Sequence, residues 1–312
     1  MSSGRTPHRG AFTLIELMIV IAIIGLLIGL AVPAVQKARE LSMRTQCVNQ
    51  LKQIALAAHQ YQNDKGSLPT AGGLFRYGNP SVDRQDFGWT YEILPYIDQQ
   101  NVFGLQANAA GNAQMRTTVI PTYHCPSKRQ PQLYNGIAVS DYAMNVGSNF
   151  SAQDPSTTNI LTDGVASVKR NNDGAFLKIT FSSVSDGVSQ TLMFAEKRIN
   201  FPTMAGLDRN DDSDNSGWAG PGFPTGDIVR GALMPPAPDL NNPSAASAMS
   251  TEYRFGSSHS AVCPGAFVDA SVHTIRFSVS ATVFRALCTR EGRKTGATPA
   301  ARQAETFEID DL

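Results

Sequence analysis

The feature that most constrains this chain is an apolar run close to its start. Residues Phe12 to Val32 read FTLIELMIVIAIIGLLIGLAV, 21 residues that carry a single charge, Glu16. About 20 apolar residues at helical rise match the hydrocarbon thickness of a bilayer. A buried soluble helix is normally shorter and keeps a polar face, and this segment is apolar all round. Ile and Val are weak helix formers in water, but lipid forces the backbone to satisfy its own hydrogen bonds. A membrane helix is expected. A cleaved secretory signal is the competing reading, with Gly29-Leu30-Ala31 as its small-x-small site, although its apolar core would run only ~7–15 residues. A plain anchor leaves Glu16 without a purpose, because a carboxylate at mid-membrane costs ~2.5–3.5 kcal/mol, and less near the interface.

Composition narrows the classes of partner. The 312 residues hold 26 Lys and Arg against 26 Asp and Glu, a formal net charge of zero. A protein held to nucleic acid by phosphate neutralisation shows a basic excess, so no nucleic-acid partner is expected. Around the apolar run, Arg5 and Arg9 precede it and Lys37, Arg39 and Arg44 follow it. Charge alone therefore does not place the leader on the cytoplasmic side.

Helical spacing continues past the run, through Ala34, Ala38, Leu41, Thr45, Val48, Leu51, Ala55 and Ala58. Pro33 should bend this helix rather than end it, and Gly66 and Pro69 close it. One helix from residue 12 to 64 would be roughly 75–80 Å long at 1.5 Å per residue. Beyond Gly66 the chain turns to Gly, Pro, Asn, Ser and short apolar bursts, the composition of strands and loops. Expected strands are Phe176–Phe181, Thr191–Glu196, Ala266–Val268 and Val272–Phe277, with a short helix over Ala281–Leu287. Residues 200–250 read as loop and 290–312 as a loosely held polar tail. No internal repeat is present.

The segment Arg9-Gly10-Ala11-Phe12-Thr13-Leu14-Ile15-Glu16 resembles the processing motif of type IV prepilins and pseudopilins. In that family a peptidase cuts a short basic leader after Gly and methylates the new N-terminus, usually Phe, and the fifth mature residue is Glu. With Phe12 first, Glu16 is fifth and Pro33 twenty-second, also a family feature. That register needs cleavage after Ala11. Cleavage after Gly10 would leave Ala11 first and Glu16 sixth. The resemblance implies an α+β pilin-like fold, with a long transmembrane and amphipathic helix packed on a mainly antiparallel β head. It divides the chain into a leader (1–11), the helix (12–64, spanning the membrane over 12–32) and a β-rich head (65–312). It further implies a structural subunit of a type IV pilus or type II secretion pseudopilus. The partners are a prepilin peptidase/methylase, the membrane, and other pilin-like subunits met through the N-terminal helix. A membrane-anchored envelope protein that uses the same processing without assembly is the alternative. The expected location is the cytoplasmic membrane, with the head outside the cytoplasm. A carboxylate in hydrocarbon needs a partner, and the methylated amino group of a neighbour's Phe12 would supply one.

Four further stretches resemble a large family of prepilin-like proteins with a C-terminal domain of unknown function. Cys47-Val48-Asn49-Gln50-Leu51-Lys52-Gln53-Ile54 is similar to its C-x-N-x-L-K-Q-I helix, and Cys125-Pro126-Ser127 to its C-P-S segment. Asp186, Gly187, Ser189 and Thr191, followed by Glu196, resemble its D-G-x-S-x-T…E stretch. His259 and Asp269 match the start of H-x9-D-G, with Ala270 in place of the glycine. A D-G pair there would suit a two-residue type I′ hairpin. Ala in a left-handed conformation costs ~1–2 kcal/mol, so the turn is either strained or of another type.

No enzymatic constellation emerges. His259 with Asp269, and His273 with His124 as extra ligands, fit no zinc spacing, and no nucleophile elbow, phosphate loop or H-E-x-x-H is present. His259 is expected to bond its own hairpin, and Asp186 and Glu196 to be turn and strand residues. No cofactor is expected. Asp212, Asp214 and Ser216 before Gly217 resemble the start of a calcium loop whose closing glutamate is replaced by Phe223, and a solvated loop is the alternative. Cys47, Cys125, Cys263 and Cys288 allow three full disulfide pairings, and free buried thiols are the other outcome.

Overall fold

The computed structural model describes residues 13–72, 87–148, 163–168, 177–200, 218, 228–241 and 254–291. The chain divides into two units, Met1–Met43 and Arg44–Leu312.

Helix α1, Leu14–Lys65, runs through Pro33 without a break. In the first unit its apolar side chains bury against nothing: Leu14 is 76% exposed and Leu30 68%. By length and composition it can cross a membrane. Gly66 ends α1 with a positive φ of 74°, and its N–H bonds the Gln62 carbonyl at 2.8 Å.

The second unit begins with the remainder of α1. Cys47, Leu51, Ile54, Ala55 and Ala58 form its buried stripe. Ala34, Ala38 and Leu41 carry the same periodicity but are exposed. Strand β1 (Thr70–Gly72) follows, then three short helices, α2 (Trp89–Glu92), α3 (Gln100–Phe103) and α4 (Ala109–Arg116). Composition alone concealed these helices behind Gly, Pro and Asn. Asn108 caps α4 by accepting from Gly111 N–H at 2.8 Å.

The remaining strands are β2 (Tyr142–Gly147), β3 (Ser167–Val168), β4 (Leu192–Glu196), β5 (Val229–Gly231), β6 (Ala237–Pro238), β7 (Gly256–Ser257), β8 (Val262–Phe267) and β9 (Val272–Arg276), and α5 (Ala281–Cys288) ends the described chain. Among the described residues the main sheet has the order β5-β2-β4-β8-β9, antiparallel except for the β2–β5 pair. The fold is thus α+β and pilin-like. Strands β2, β4 and β8 are buried throughout because both sheet faces are covered. Tyr142, Met144 and Val146 join the core that contains Leu51 and Ile54 of α1, with Trp89 and Tyr123. Ala143 points the other way, into a second core with Cys263, Phe267, Phe284 and Leu287.

Expected Phe176–Phe181 is not a strand over its described part. Phe181–Ser183 is a 3₁₀ turn closed by a capping box of Thr180 and Ser183, and Phe181 packs on His59 with centroids 4.5 Å apart. Hydroxyl side chains here bond nearby backbone in competition with a ladder. At the β8–β9 hairpin, Ala270 adopts φ 64° while Asp269 does not have a positive φ. Ala270 N–H bonds Phe267 O at 2.9 Å and Phe267 N–H bonds Ser271 O at 2.8 Å. The turn is therefore not type I′, which needs positive φ at both central residues. It is a turn over 267–270 whose last residue, Ala270, is left-handed. Lys52 Nζ donates to Ala270 O at 2.6 Å, and His59 Nε2 lies 2.7 Å from Val268 O, so α1 grips the tip that holds the strained alanine.

Candidate functional site

The first site is the start of α1. Thr13 and Glu16 form a reciprocal cap: Thr13 N–H and Oγ1 each bond Glu16 Oε2 at 2.8 Å, and Glu16 N–H bonds Thr13 Oγ1 at 3.3 Å. This is the capping box of a T-x-x-E start, legible in Thr13-Leu14-Ile15-Glu16 but absent from the expectation above. Within one chain, then, Glu16 serves its own helix. Gly10, Ala11 and Phe12 lie outside the described residues.

The second site is a closed polar cluster in the second unit. Glu196 ends β4 opposite Tyr142 and is fully buried, as are Lys128 and His259 to within a few per cent. The turn after Cys125 brings Lys128 inward, because Lys128 N–H and Arg129 N–H both bond Cys125 O. Lys128 Nζ lies 3.6 Å from Glu196 Oε2 and 3.5 Å from Asp239 Oδ1, and donates to the carbonyls of Lys197 and Gly256. His259 Nε2 is 3.3 Å from Glu196 Oε1 and 3.7 Å from Cys125 Sγ. Ser257 Oγ donates to Glu196 Oε2 at 2.9 Å and accepts from His259 N–H at 3.1 Å. Beside this lies a second pair, Arg129 Nε to Asp141 Oδ1 at 2.6 Å, with Asp141 Oδ2 accepting from Cys125 N–H at 2.8 Å.

Electrostatics follow from that packing. Burial alone would push Glu196 up, but Lys128 and His259 outweigh it and hold the carboxyl below its ordinary value. Burial alone would lower Lys128, and the carboxylates of Asp239 and Glu196 raise it instead. At Asp239 burial prevails over Lys128 and the carboxyl is raised. The stable pair is Lys128⁺ with Glu196⁻. Ser257 gives its hydrogen to Glu196 rather than to His259, so the trio lacks the geometry of an activated nucleophile.

One disulfide joins Cys47 of α1 to Cys125, across a sequence separation of 78. Cys263 and Cys288 remain buried thiols, and burial pushes both up. Cys263 Sγ is turned to the Glu196 carbonyl at 3.7 Å. A bridge between Cys263 and Cys288 is thus not made, and the four cysteines resolve into one pair and two thiols. His259 does not meet Asp269, whose Oδ1 accepts from Ser271 N–H at 2.8 Å and Ser271 Oγ at 2.6 Å. His273 Nε2 lies 3.0 Å from that same hydroxyl, and His124 Nδ1 lies 3.9 Å from Asp141 Oδ2, so the histidines do not converge. Asp186 and Gly187 form a turn, with Gly187 at φ 104°, and Thr191 Oγ1 bonds Gly187 O at 3.0 Å. Ser189 sits in that turn, exposed. Asp212, Asp214 and Ser216 lie outside the described residues. Lys128, Arg129, Asp141 and Asp239 were missed. Lys128-Arg129 reads as an ordinary exposed basic pair, and only the neighbouring C-P-S turn hinted that it folds inward.

Placed together, Cys47, Cys125, Glu196 and His259 have ligand-capable atoms all within 4.8 Å of one another. These residues come from the four stretches set out above: the cysteine helix, the C-P-S segment, the D-G-x-S-x-T…E stretch and the histidine signature. Residues 36–282 match the family described as "Protein of unknown function (DUF1559)". The chain belongs to that family. Residues 7–32 match the prokaryotic N-terminal methylation motif, which makes the chain prepilin-like. It is also similar to a competence protein, ComGC, of Halalkalibacterium halodurans, 36% identical over 63 residues. That match covers 20% of this chain and 62% of the competence protein, so the chain spans under two thirds of the length of this curated relative. No solved structure matches. The methylation motif and the likeness to the competence protein point to a structural, pilin-like protein rather than to an enzyme, and the motif with the apolar helix suggests a membrane anchor.

Proposed function

We propose that this protein is a structural subunit of a type IV pilus or a type II secretion pseudopilus. A prepilin peptidase removes residues 1–11 and methylates Phe12, and the processed chain waits in the cytoplasmic membrane with its head outside. The observation that carries this reading is the methylation motif over residues 7–32 laid on a helix whose large apolar side chains from Leu14 to Val32 are exposed. On assembly, Glu16 exchanges its local contact with Thr13 for the methylated amino group of a neighbour, which neutralises the carboxylate and sets the axial stagger.

Glu16→Gln separates the two roles of this side chain, because glutamine retains the capping box and loses the charge. The variant is expected to insert and be processed normally but to form no filaments. Filaments as abundant as wild type, counted in sheared surface fractions, would overturn the pairing. N-terminal sequencing of the mature chain should read methylated Phe12, and a chain beginning at Met1 or Val32 would overturn the processing. A second reading, an envelope protein anchored by the same processing, is favoured by the small reach of the competence-protein likeness, 20% of the chain. A correctly processed wild type that yields no filament material decides for it.

A further inference from the structure

We propose that Cys47, Cys125, Glu196 and His259 form a zinc site that alternates with the Cys47–Cys125 disulfide: the oxidised chain closes the bridge, and the reduced chain binds one Zn²⁺ in its place.

The donor set is the first ground. Two thiolates, an imidazole nitrogen and a carboxylate oxygen suit a tetrahedral zinc centre, and the soft pair disfavours calcium or magnesium. Geometry is the second. Bonds of about 2.0–2.3 Å in a tetrahedron put neighbouring donor atoms roughly 3.3–3.8 Å apart. His259 Nε2 already stands 3.3 Å from Glu196 Oε1 and 3.7 Å from Cys125 Sγ. The other donor pairs lie within 4.8 Å, and the two sulfurs, bonded to each other in the disulfide, must separate. Their Cα atoms, 5.0 Å apart, need little movement for that.

The surroundings fit the charge that results. Two thiolates and one carboxylate around Zn²⁺ leave one negative charge, and the buried Lys128 ammonium 3.6 Å from Glu196 Oε2 balances it. Ser257 Oγ and Lys128 both engage Oε2, which leaves Oε1 for the metal. Ser257 also holds the His259 backbone, so a single hydroxyl orients two of the four ligands. All four side chains are at most 2% exposed, as expected of a closed structural site rather than a catalytic one with an open position.

A dithiol delivers two electrons and two protons to the Cys47–Cys125 bond, giving two thiols and its own disulfide; a phosphine delivers the two electrons while water supplies the two protons and the oxygen of the phosphine oxide. Zn²⁺ then displaces both thiol protons, and binding releases two protons per metal ion. An oxidant that removes two electrons from the thiolates closes the disulfide and expels the ion.

The test uses the full chain in non-ionic detergent micelles, reduced by a phosphine that is then removed anaerobically. Titration with Co²⁺ should give the intense visible absorption of tetrahedral cobalt and thiolate charge-transfer bands at one equivalent. One equivalent of Zn²⁺ should then abolish both. The oxidised chain should take up neither ion. Glu196→Gln and His259→Ala should each weaken uptake at least ~10-fold, with His259→Gln in place of alanine if the latter does not fold when oxidised. A reduced chain that stays folded by circular dichroism yet binds less than about a tenth of an equivalent overturns the site. So does uptake unchanged in both variants, or uptake by the oxidised chain. If reduction unfolds the head, recovery of its circular dichroism on adding Zn²⁺ supports the proposal, and no recovery overturns it.

Discussion

At the scale of single residues, Glu92 shows how burial sets a pH dependence. It ends α2, and its carboxylate accepts from Thr70 N–H at 2.6 Å and from Thr70 Oγ1 at 2.9 Å. Burial outweighs those bonds and raises its pKa from 4.5 to about 7. A raised carboxyl favours the fold when protonated. That contribution is complete below pH 4.5, the unfolded value, and is lost as pH rises through about 7. At about 1.4 kcal/mol per pKa unit the shift is worth roughly 3 kcal/mol. Glu92→Gln can keep both contacts with Thr70 while removing the titration. Thermal melts of the variant should match wild type at pH 4.5 and exceed it at pH 8. Parallel pH profiles for the two proteins would refute the assignment.

At the scale of elements, α1 shows two environments on one helix. Ile54 is fully buried beside Leu51 and Ala58, whereas Leu56, two positions on, is 44% exposed. Truncating a buried Ile leaves a cavity as well as losing transfer energy, about 2–5 kcal/mol. Ile54→Ala should therefore cost about 3 kcal/mol in denaturant unfolding of the full chain in micelles, and Leu56→Ala under about 1 kcal/mol. Equal losses would mean that the stripe is not what docks this helix. The sequence pattern reached this element because helical order is local: apolar spacing, Pro33 and Gly66 are all read within a few residues. It reached β4, β9 and α5 for the same reason. It did not reach β2, whose Tyr-Ala-Met-Asn-Val-Gly has no alternation because both its faces are covered. Nor did it reach the cluster around Glu196, which needs residues 47, 125, 128, 196, 239 and 259 to meet through pairings far apart in sequence. Glu196 and His259 are visible as signature residues, but Lys128, which pairs with Glu196, is not. Ala270 lies between these cases. Its cost in a left-handed turn was legible, while the Lys52 contact that stabilises the turn belongs to the tertiary fold.

At the scale of the whole molecule, two forces compete to hold the chain where it works, and their magnitudes separate them. The 26 basic and 26 acidic side chains cancel, and removing residues 1–11 takes away Arg5 and Arg9, leaving 24 against 26. So small an imbalance gives little long-range attraction to an anionic membrane surface, and 1 M salt shortens the screening length to about 3 Å. The apolar part of α1 behaves differently. Leu14, Ile15, Leu26, Leu27 and Leu30 are each 60–76% exposed within the chain. Burying a side chain of that kind is worth about 1.5–3 kcal/mol, a sum that salt does not weaken. Washing membranes with 1 M NaCl should thus leave the protein in the pellet, and non-ionic detergent should release it. The same contrast should hold for sheared filament material, whose subunits would share this helix as their common core. Release by salt alone would mean that charge, not α1, attaches the chain, and both the anchored and the filament readings would then fail together.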